Sequence, residues 1–193
     1  MYKGKFQAFR GKNIQEGFTA NHQKISEHIK RERLDTLLSL DEERYIRDLA
    51  ARFTLNTPQF ELDKMRNQRG EVDNLQYNPT FNRRKKIPTV IYFLPYKGDG
   101  SLFQYNPTHS WSGEDREVSL VDNDLTFEII DEGNNEQVRE QKQRVVDYLQ
   151  QQLSILAQEV ADYNSQLPNF IKQTLQAHKQ HLTSARKKLD YLL

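Results

Sequence analysis

Two histidines, His178 and His181, stand three residues apart in a helical stretch. That spacing can bring two imidazoles onto one metal ion. No carboxylate lies within one turn on the same face to complete the ligand set, and His178 falls on the apolar stripe of its helix. The preferred reading is a packed ring beside an exposed one. Glu61 and Asp63 alternate along a strand-like segment, with Glu71 and Asp73 in the loop beyond it. Carboxylates sharing a strand face can bind divalent cations, as a metal-dependent hydrolase requires. Solvent-facing charges on an amphipathic strand give the same pattern, and no lysine or histidine stands at a telling distance.

The basic run Arg83, Arg84, Lys85 and Lys86 could grip phosphate groups, with Tyr77, Phe81 and Tyr92 near enough in sequence to stack bases. Cations just before a hydrophobic strand also guard its edge against aggregation. Lys172, Lys179, Arg186, Lys187 and Lys188 either extend such a basic surface or form the solvated back of a helix. Gly98-Asp99-Gly100 is not a phosphate loop, which needs Gly-Lys-Ser/Thr opening a helix. His109, Ser110, Trp111 and Ser112 share a loop, but nothing supplies a nucleophile elbow or an oriented triad. No catalytic residue, cofactor or metal site is therefore assigned.

Composition narrows the classes further. The 193 residues carry 28 Lys and Arg against 27 Asp and Glu, a net charge of +1. No whole-molecule field draws such a chain to nucleic acid or membrane. Without cysteine there are no disulfides, no thiolate catalysis and no Cys-ligated zinc or iron–sulfur site. Mean hydropathy is −0.89, so the core is modest and much polarity lies on exposed helices. Residues 1–6 lack the apolar core of a signal peptide, and no apolar run approaches the ~20 residues of a membrane span. A cytoplasmic location is expected.

Around these residues the sequence predicts an α+β fold. Residues 1–17 read as an irregular basic entry. Phe18 and Thr19 suggest a staple and N-cap for a helix reaching Ser39, and Ser39 with Glu42 suggests a capping box for a second helix ending before Asn56. An antiparallel sheet of about five strands follows over residues 59–131. Its parts are a strand around Phe60 and Leu62, a polar loop over 66–86, a central strand from Thr89 to Leu94, a return over Leu102–Tyr105, and a hairpin of Val118–Val121 with Leu125–Ile130. The echo of Leu75-Gln76-Tyr77-Asn78-Pro79-Thr80 in Phe103-Gln104-Tyr105-Asn106-Pro107-Thr108 marks two similar strand exits.

Residues 134–193 read as an antiparallel helical hairpin, set apart from an α+β domain over 1–133. Leu149, Leu153, Leu156 and Val160 form a helical stripe in the first arm; Leu175, Leu182 and Leu189 form one in the second. Pro168 falls between them, in the segment Asn164 to Pro168 that reads as the link. Neither stripe can be hidden by its own helix, so the hairpin is expected to mediate homo-oligomerisation or the docking of a further domain.

The segment from Lys97-Gly98-Asp99 through Leu102-Phe103-Gln104-Tyr105-Asn106-Pro107-Thr108 resembles the G-D-x-x-L-F-x-Y-x-P stretch of a family of bacterial proteins. The resemblance continues through Asp124-Leu125-Thr126-Phe127, Tyr163-Asn164-Ser165-Gln166-Leu167-Pro168 and Ala177-His178-Lys179-Gln180-His181-Leu182. In that family this region is N-terminal to a restriction-endonuclease-like domain with an acidic–acidic–lysine active site. The chain holds no such set, so no catalytic residue carries over, and its end within a periodic helix matches a region that leads into a further domain. The resemblance implies a non-catalytic recognition, regulatory or assembly module of a nuclease-type protein, one serving phage defence. The alternatives are a nucleic-acid-binding module using residues 83–86 and a metal-dependent hydrolase.

Overall fold

The computed structural model describes residues 4–74, 85–108 and 117–190, leaving aside the side chains of 72–74, 85, 189 and 190. It is an α+β chain that divides into two compact units, Met1–Asn13 with Thr57–Ala157 and Ile14–Asn56 with Gln158–Leu193. These units cut the chain elsewhere than the 133/134 boundary read from the sequence. No helix among the described residues is long and apolar enough to cross a membrane.

The first unit holds an antiparallel sheet of six strands. They are β1 (Phe6–Gln7), β2 (Gln59–Phe60), β3 (Arg66–Asn74), β4 (Lys85–Lys97), β5 (Glu117–Val121) and β6 (Asp124–Ile130). The spatial order is β1-β5-β6-β4, with β3 and β2 sharing the far edge of β4. The expected central strand is thus present and longer than its apolar run suggested. Val90, Tyr92 and Leu94 of β4 pair with Ile129, Phe127 and Leu125 of β6. The latter two stand opposite Val118 and Leu120 of β5. All eight are buried, because alternate residues of a strand share a face and this face is apolar. On the other face Ser119 and Thr126 share a hydrogen bond of 2.6 Å, and Lys5 donates to Glu128 at 2.8 Å.

Three strand expectations need correction. Residues 66–74, expected as loop, are β3, since nine backbone pairs with β4 outweigh a polar composition. Leu102–Tyr105, expected as a return strand, is instead the end of a 3-10 turn over Gly100–Gln104 with Tyr105 as its C-cap. The Asp99 carboxylate accepts the Ser101 N–H at 2.9 Å and starts that turn, while β6 and not this segment supplies the neighbour of β4. Glu61 and Asp63 do not alternate on a strand, because β2 ends at Phe60 and Leu62–Lys64 form a second 3-10 turn.

The second unit is helical: α1 (Ile14–Lys30), the short α2 (Leu34–Leu38), α3 (Glu42–Phe53) and the later part of α4 (Asn135–Asp190). α1 starts earlier than Thr19. α3 is capped by Asp41, whose carboxylate accepts the Arg44 N–H at 3.1 Å; the Ser39 hydroxyl turns back to Asp35 and Thr36 carbonyls. Phe18, Ile25 and Ile29 of α1, Leu37, Leu49 of α3, and Val160, Tyr163, Leu167, Ile171 and Leu175 of α4 are buried. Phe18 stacks on Tyr163 at 4.3 Å, and His22 stacks on Phe170 at 3.9 Å. The Asn164 side chain accepts from Leu55 N–H at 3.0 Å and donates to Leu55 C=O at 2.9 Å, tying the exit of α3 to α4.

The helical hairpin is the main correction. α4 is one helix of 56 residues with Pro168 inside it. A proline ring removes the donor that the Asn164 carbonyl would have used. The helix continues because the stripe is buried on both sides of the break, at Leu167 and Ile171, and because Asn164 itself is anchored to Leu55. Residues 135–157 of α4 lie in the sheet unit, where Val138, Val145, Val146, Leu149, Leu153 and Leu156 are buried.

Pro168→Ala restores the missing hydrogen bond. An interior proline costs about 3 kcal/mol, offset by roughly 1 kcal/mol through its restriction of the unfolded chain. Thermal unfolding followed by circular dichroism should show a Tm raised by a few degrees; a lowered Tm would restore the link reading. Burial holds the His22 imidazole below its ordinary value of 6.5. Between the folded and unfolded values the unfolded chain binds more protons, so stability falls as pH drops through 6.5. His22→Phe, which keeps an aromatic ring against Phe170, should lose less stability between about pH 7 and about pH 5 than the natural chain. Equal losses in chemical denaturation would exclude His22 as the source.

Candidate functional site

The segment after β1 makes a turn in which the Gln7 carbonyl accepts the Arg10 N–H at 3.4 Å. Phe9 has φ 58° there, a left-handed conformation that bulky side chains rarely adopt and that costs about 1–3 kcal/mol. Two contacts hold it. The Phe9 ring is fully buried with its edge toward Phe103 at 5.7 Å, and its N–H donates to the Phe103 carbonyl at 2.7 Å. Phe103 is in turn enclosed by Phe60, stacked at 5.4 Å, and Tyr96, edge-on at 5.0 Å. Burial pushes the Tyr96 hydroxyl up from its ordinary range, with the charges of Asp99 and Asp124 adding to the effect, so it stays protonated.

Past the turn the chain runs beside the residues that follow Phe103. The Asn106 N–H donates to the Lys12 carbonyl at 2.8 Å, and Asn13 and Asn106 form a parallel bridge. Gly11 crosses so close to the Gln104 carbonyl that a Cβ would lie 1.9 Å from its oxygen. Only glycine permits this approach.

Between the two segments lies an open cavity of about 590 Å³. Arg10, Gly11 and Lys12 line one wall, Ser101, Gln104 and Tyr105 the other, with Phe6 at the β1 end. Among the described lining residues two are cations and none is a carboxylate. The amide nitrogen of Gln104 is shut off from water and has no hydrogen-bond partner. An unmet buried donor costs about 1–3 kcal/mol, and such donors are nearly always satisfied. Cationic lining residues and space for a small molecule make this cavity the candidate site.

The residues singled out from sequence lie elsewhere. Arg83 and Arg84, with the side chain of Lys85, fall outside the described residues, as do His109–Ser112. Lys86 is exposed and pairs with Glu71 at 3.2 Å. His178 lies 3.3 Å from the Glu32 carbonyl, while His181 is exposed. Glu61 accepts from Lys97 and Lys64, both at 2.9 Å, and these bonds hold its carboxyl below the usual range; Asp63 stands exposed in the 3-10 turn. Among the described residues no group of three or more His, Asp or Glu is placed to hold a metal ion. Leu149, Leu153 and Leu156 are buried in the sheet unit, Val160 and Leu175 in the helical unit, and Leu182 is half-buried; the side chain of Leu189 falls outside the described residues.

Arg10, Lys12 and Gln104 were not singled out. The signal present was the basic, glycine-containing entry; its meeting with Gln104 depends on pairing between distant segments. Comparison of the chain with protein-family models, curated proteins and solved structures gives no match.

Gly11→Ala should destabilise the sheet unit by about 1–3 kcal/mol, since the Gln104 backbone must move aside. Gly4→Ala, which meets nothing within 4 Å, serves as the control. Urea denaturation giving both variants the same midpoint would contradict the close approach.

Proposed function

We propose that the chain is a non-catalytic recognition module of a bacterial restriction-endonuclease-like protein of the phage-defence kind, and that it takes an anionic ligand in the cavity of its sheet unit. The observation that carries the binding role is an open cavity of about 590 Å³ whose described lining includes the cations Arg10 and Lys12 and no carboxylate. The nuclease connection rests on the sequence resemblance. A rigid frame supports recognition over catalysis. Phe9, Gly11 and Phe103 fix the walls, and the nearby acids have structural work: Asp99 caps a turn and Glu61 holds two lysines. Fixed donors around a cation pair can select an oxyanion without moving a proton.

Thermal unfolding with inorganic phosphate, inorganic sulfate and chloride tests this role. A ligand at about 100 times its Kd stabilises by about 2.7 kcal/mol. Phosphate should therefore raise Tm by several degrees over chloride at equal ionic strength. Lys12→Glu places an exposed substitution and should remove the rise while leaving the ligand-free Tm unchanged. No rise in the natural chain, or the same rise in the variant, would reject the cavity as the binding site.

A further inference from the structure

We infer that this chain pairs with a second copy of itself along β3, antiparallel, with the two-fold axis between the two Gly70 residues. The pairing goes beyond the cavity and does not depend on it. β3 is an edge strand: among the described residues it pairs with β4 and with no other strand. Backbone hydrogen bonds fix which way its groups point. On the side of β4 that carries β2 and β3, the Pro95 carbonyl accepts the Glu61 N–H at 2.8 Å. On the β6 side, Tyr96 N–H donates to the Asn123 carbonyl at 3.0 Å and the Pro88 carbonyl accepts the Asp131 N–H at 2.9 Å. Odd-numbered residues of β4 therefore point at β3, because backbone groups alternate along a strand. They stand opposite Arg66, Gln68, Gly70, Val72 and Asn74. Asn67, Arg69, Glu71 and Asp73 consequently turn their N–H and C=O groups outward.

An open edge of this kind is a template for another strand. A copy can use it only where outward residues meet outward residues, and side-chain charge then selects the register. With the axis at Gly70, Arg69 lies directly opposite the partner's Glu71, and by symmetry the contact occurs twice. Moving the axis by one residue sets Arg69 against Arg69, or Glu71 against Glu71, and like charges directly opposite are unfavourable. Both side chains are exposed. Glu71 Oε2 lies 3.2 Å from Lys86 Nζ, which leaves Oε1 for the partner's arginine. Gly70 suits the axis, where it forms a non-hydrogen-bonded pair and the two Cα atoms come within about 4.5 Å. This register also matches the whole of β3, Arg66 to Asn74, with the whole of its copy.

Sedimentation equilibrium of the full chain tests this, since the mass should rise with concentration from 22.9 kDa towards twice that value. Arg69→Glu should weaken the dimer by about 10-fold or more, because two cross-strand pairs change from opposite to like charge. Adding Glu71→Arg to that variant should restore the affinity, which separates a lost contact from a folding defect. The register is read separately by single cysteines in a chain that has none. Gly70→Cys places its thiol at the axis, and the added Cβ meets first the flexible end of Ile91, Cδ1 at 3.2 Å. Gln68→Cys leaves the two thiols offset by about 13 Å along the strands, beyond the reach of a disulfide. Oxidation should link the first variant into a covalent dimer and not the second.

A mass of 22.9 kDa at every concentration up to the millimolar range would overturn the inference. A dimer unaffected by Arg69→Glu would put the interface elsewhere on the chain and overturn it too. A double variant as weak as the single one, or equal cross-linking at the two thiol positions, would overturn the Gly70 register.

Discussion

Strand β4 is the constraint on which the sheet unit depends. Its thirteen residues serve β6 along one edge and, in succession, β3 and β2 along the other. A strand paired on both edges has few backbone groups left for solvent, so its register with β6 fixes which side chains are buried. A slip of one residue would turn Val90, Tyr92 and Leu94 away from Ile129, Phe127 and Leu125. The far end of β4 then sets the candidate site. Tyr96 and the pairing of β2 bring Phe60 and Tyr96 around Phe103, and Phe103 holds the strained turn at Phe9. The cavity is therefore an outcome of sheet register, although only Phe6 and Gln7 of its lining belong to a strand.

The helical unit obeys a different rule. Its elements are held by one stripe, and the stripe tolerates an interior proline because packing stabilises helices more than propensity does. Asn164 shows how the break is managed. Its carbonyl loses a helical partner to Pro168, while its side chain makes a two-point bond with the Leu55 backbone. His22, stacked on Phe170 and tilted against Tyr163 with its Nε2 unpartnered, adds the unit's sensitivity to acid.

Periodicity made much of the fold legible. The β-branched and aromatic run Thr89–Leu94 marked β4, two apolar runs about the Asp122–Asp124 turn marked the β5–β6 hairpin, and the three-and-four spacing marked the two halves of α4. Local rules failed where distant contacts decided. Proline is a helix breaker in isolation, yet Pro168 sits on the exposed side of the helix between the fully buried Leu167 and Ile171. The polar run 66–74 becomes a strand only because β4 lies beside it. Ser39 and Glu42 matched a capping box, but Asp41 lies nearer the helix start and takes the role.

The candidate site was less legible for the same reason. Arg10, Gly11 and Lys12 are visible as a basic entry, and Gln104 as part of a strand-exit echo. Nothing local says that these segments meet. The one nearby hint of strain, a left-handed Phe9, cannot be read from residue types, because its conformation comes from Phe103. The charged runs that drew notice in the sequence, by contrast, include residues such as Glu61 and Lys86 whose partners are ordinary surface ion pairs.

The central claim, that the Gly11–Gln104 cavity is where an anionic ligand binds, is tested most directly by ¹⁵N-labelled NMR of the full chain titrated with inorganic phosphate. The expected result is a saturable shift of the Gly11 and Lys12 backbone signals together with the Gln104 side-chain amide, with the helical unit unmoved. Shifts confined to Lys86 and its neighbours would contradict the claim and move recognition to the basic run.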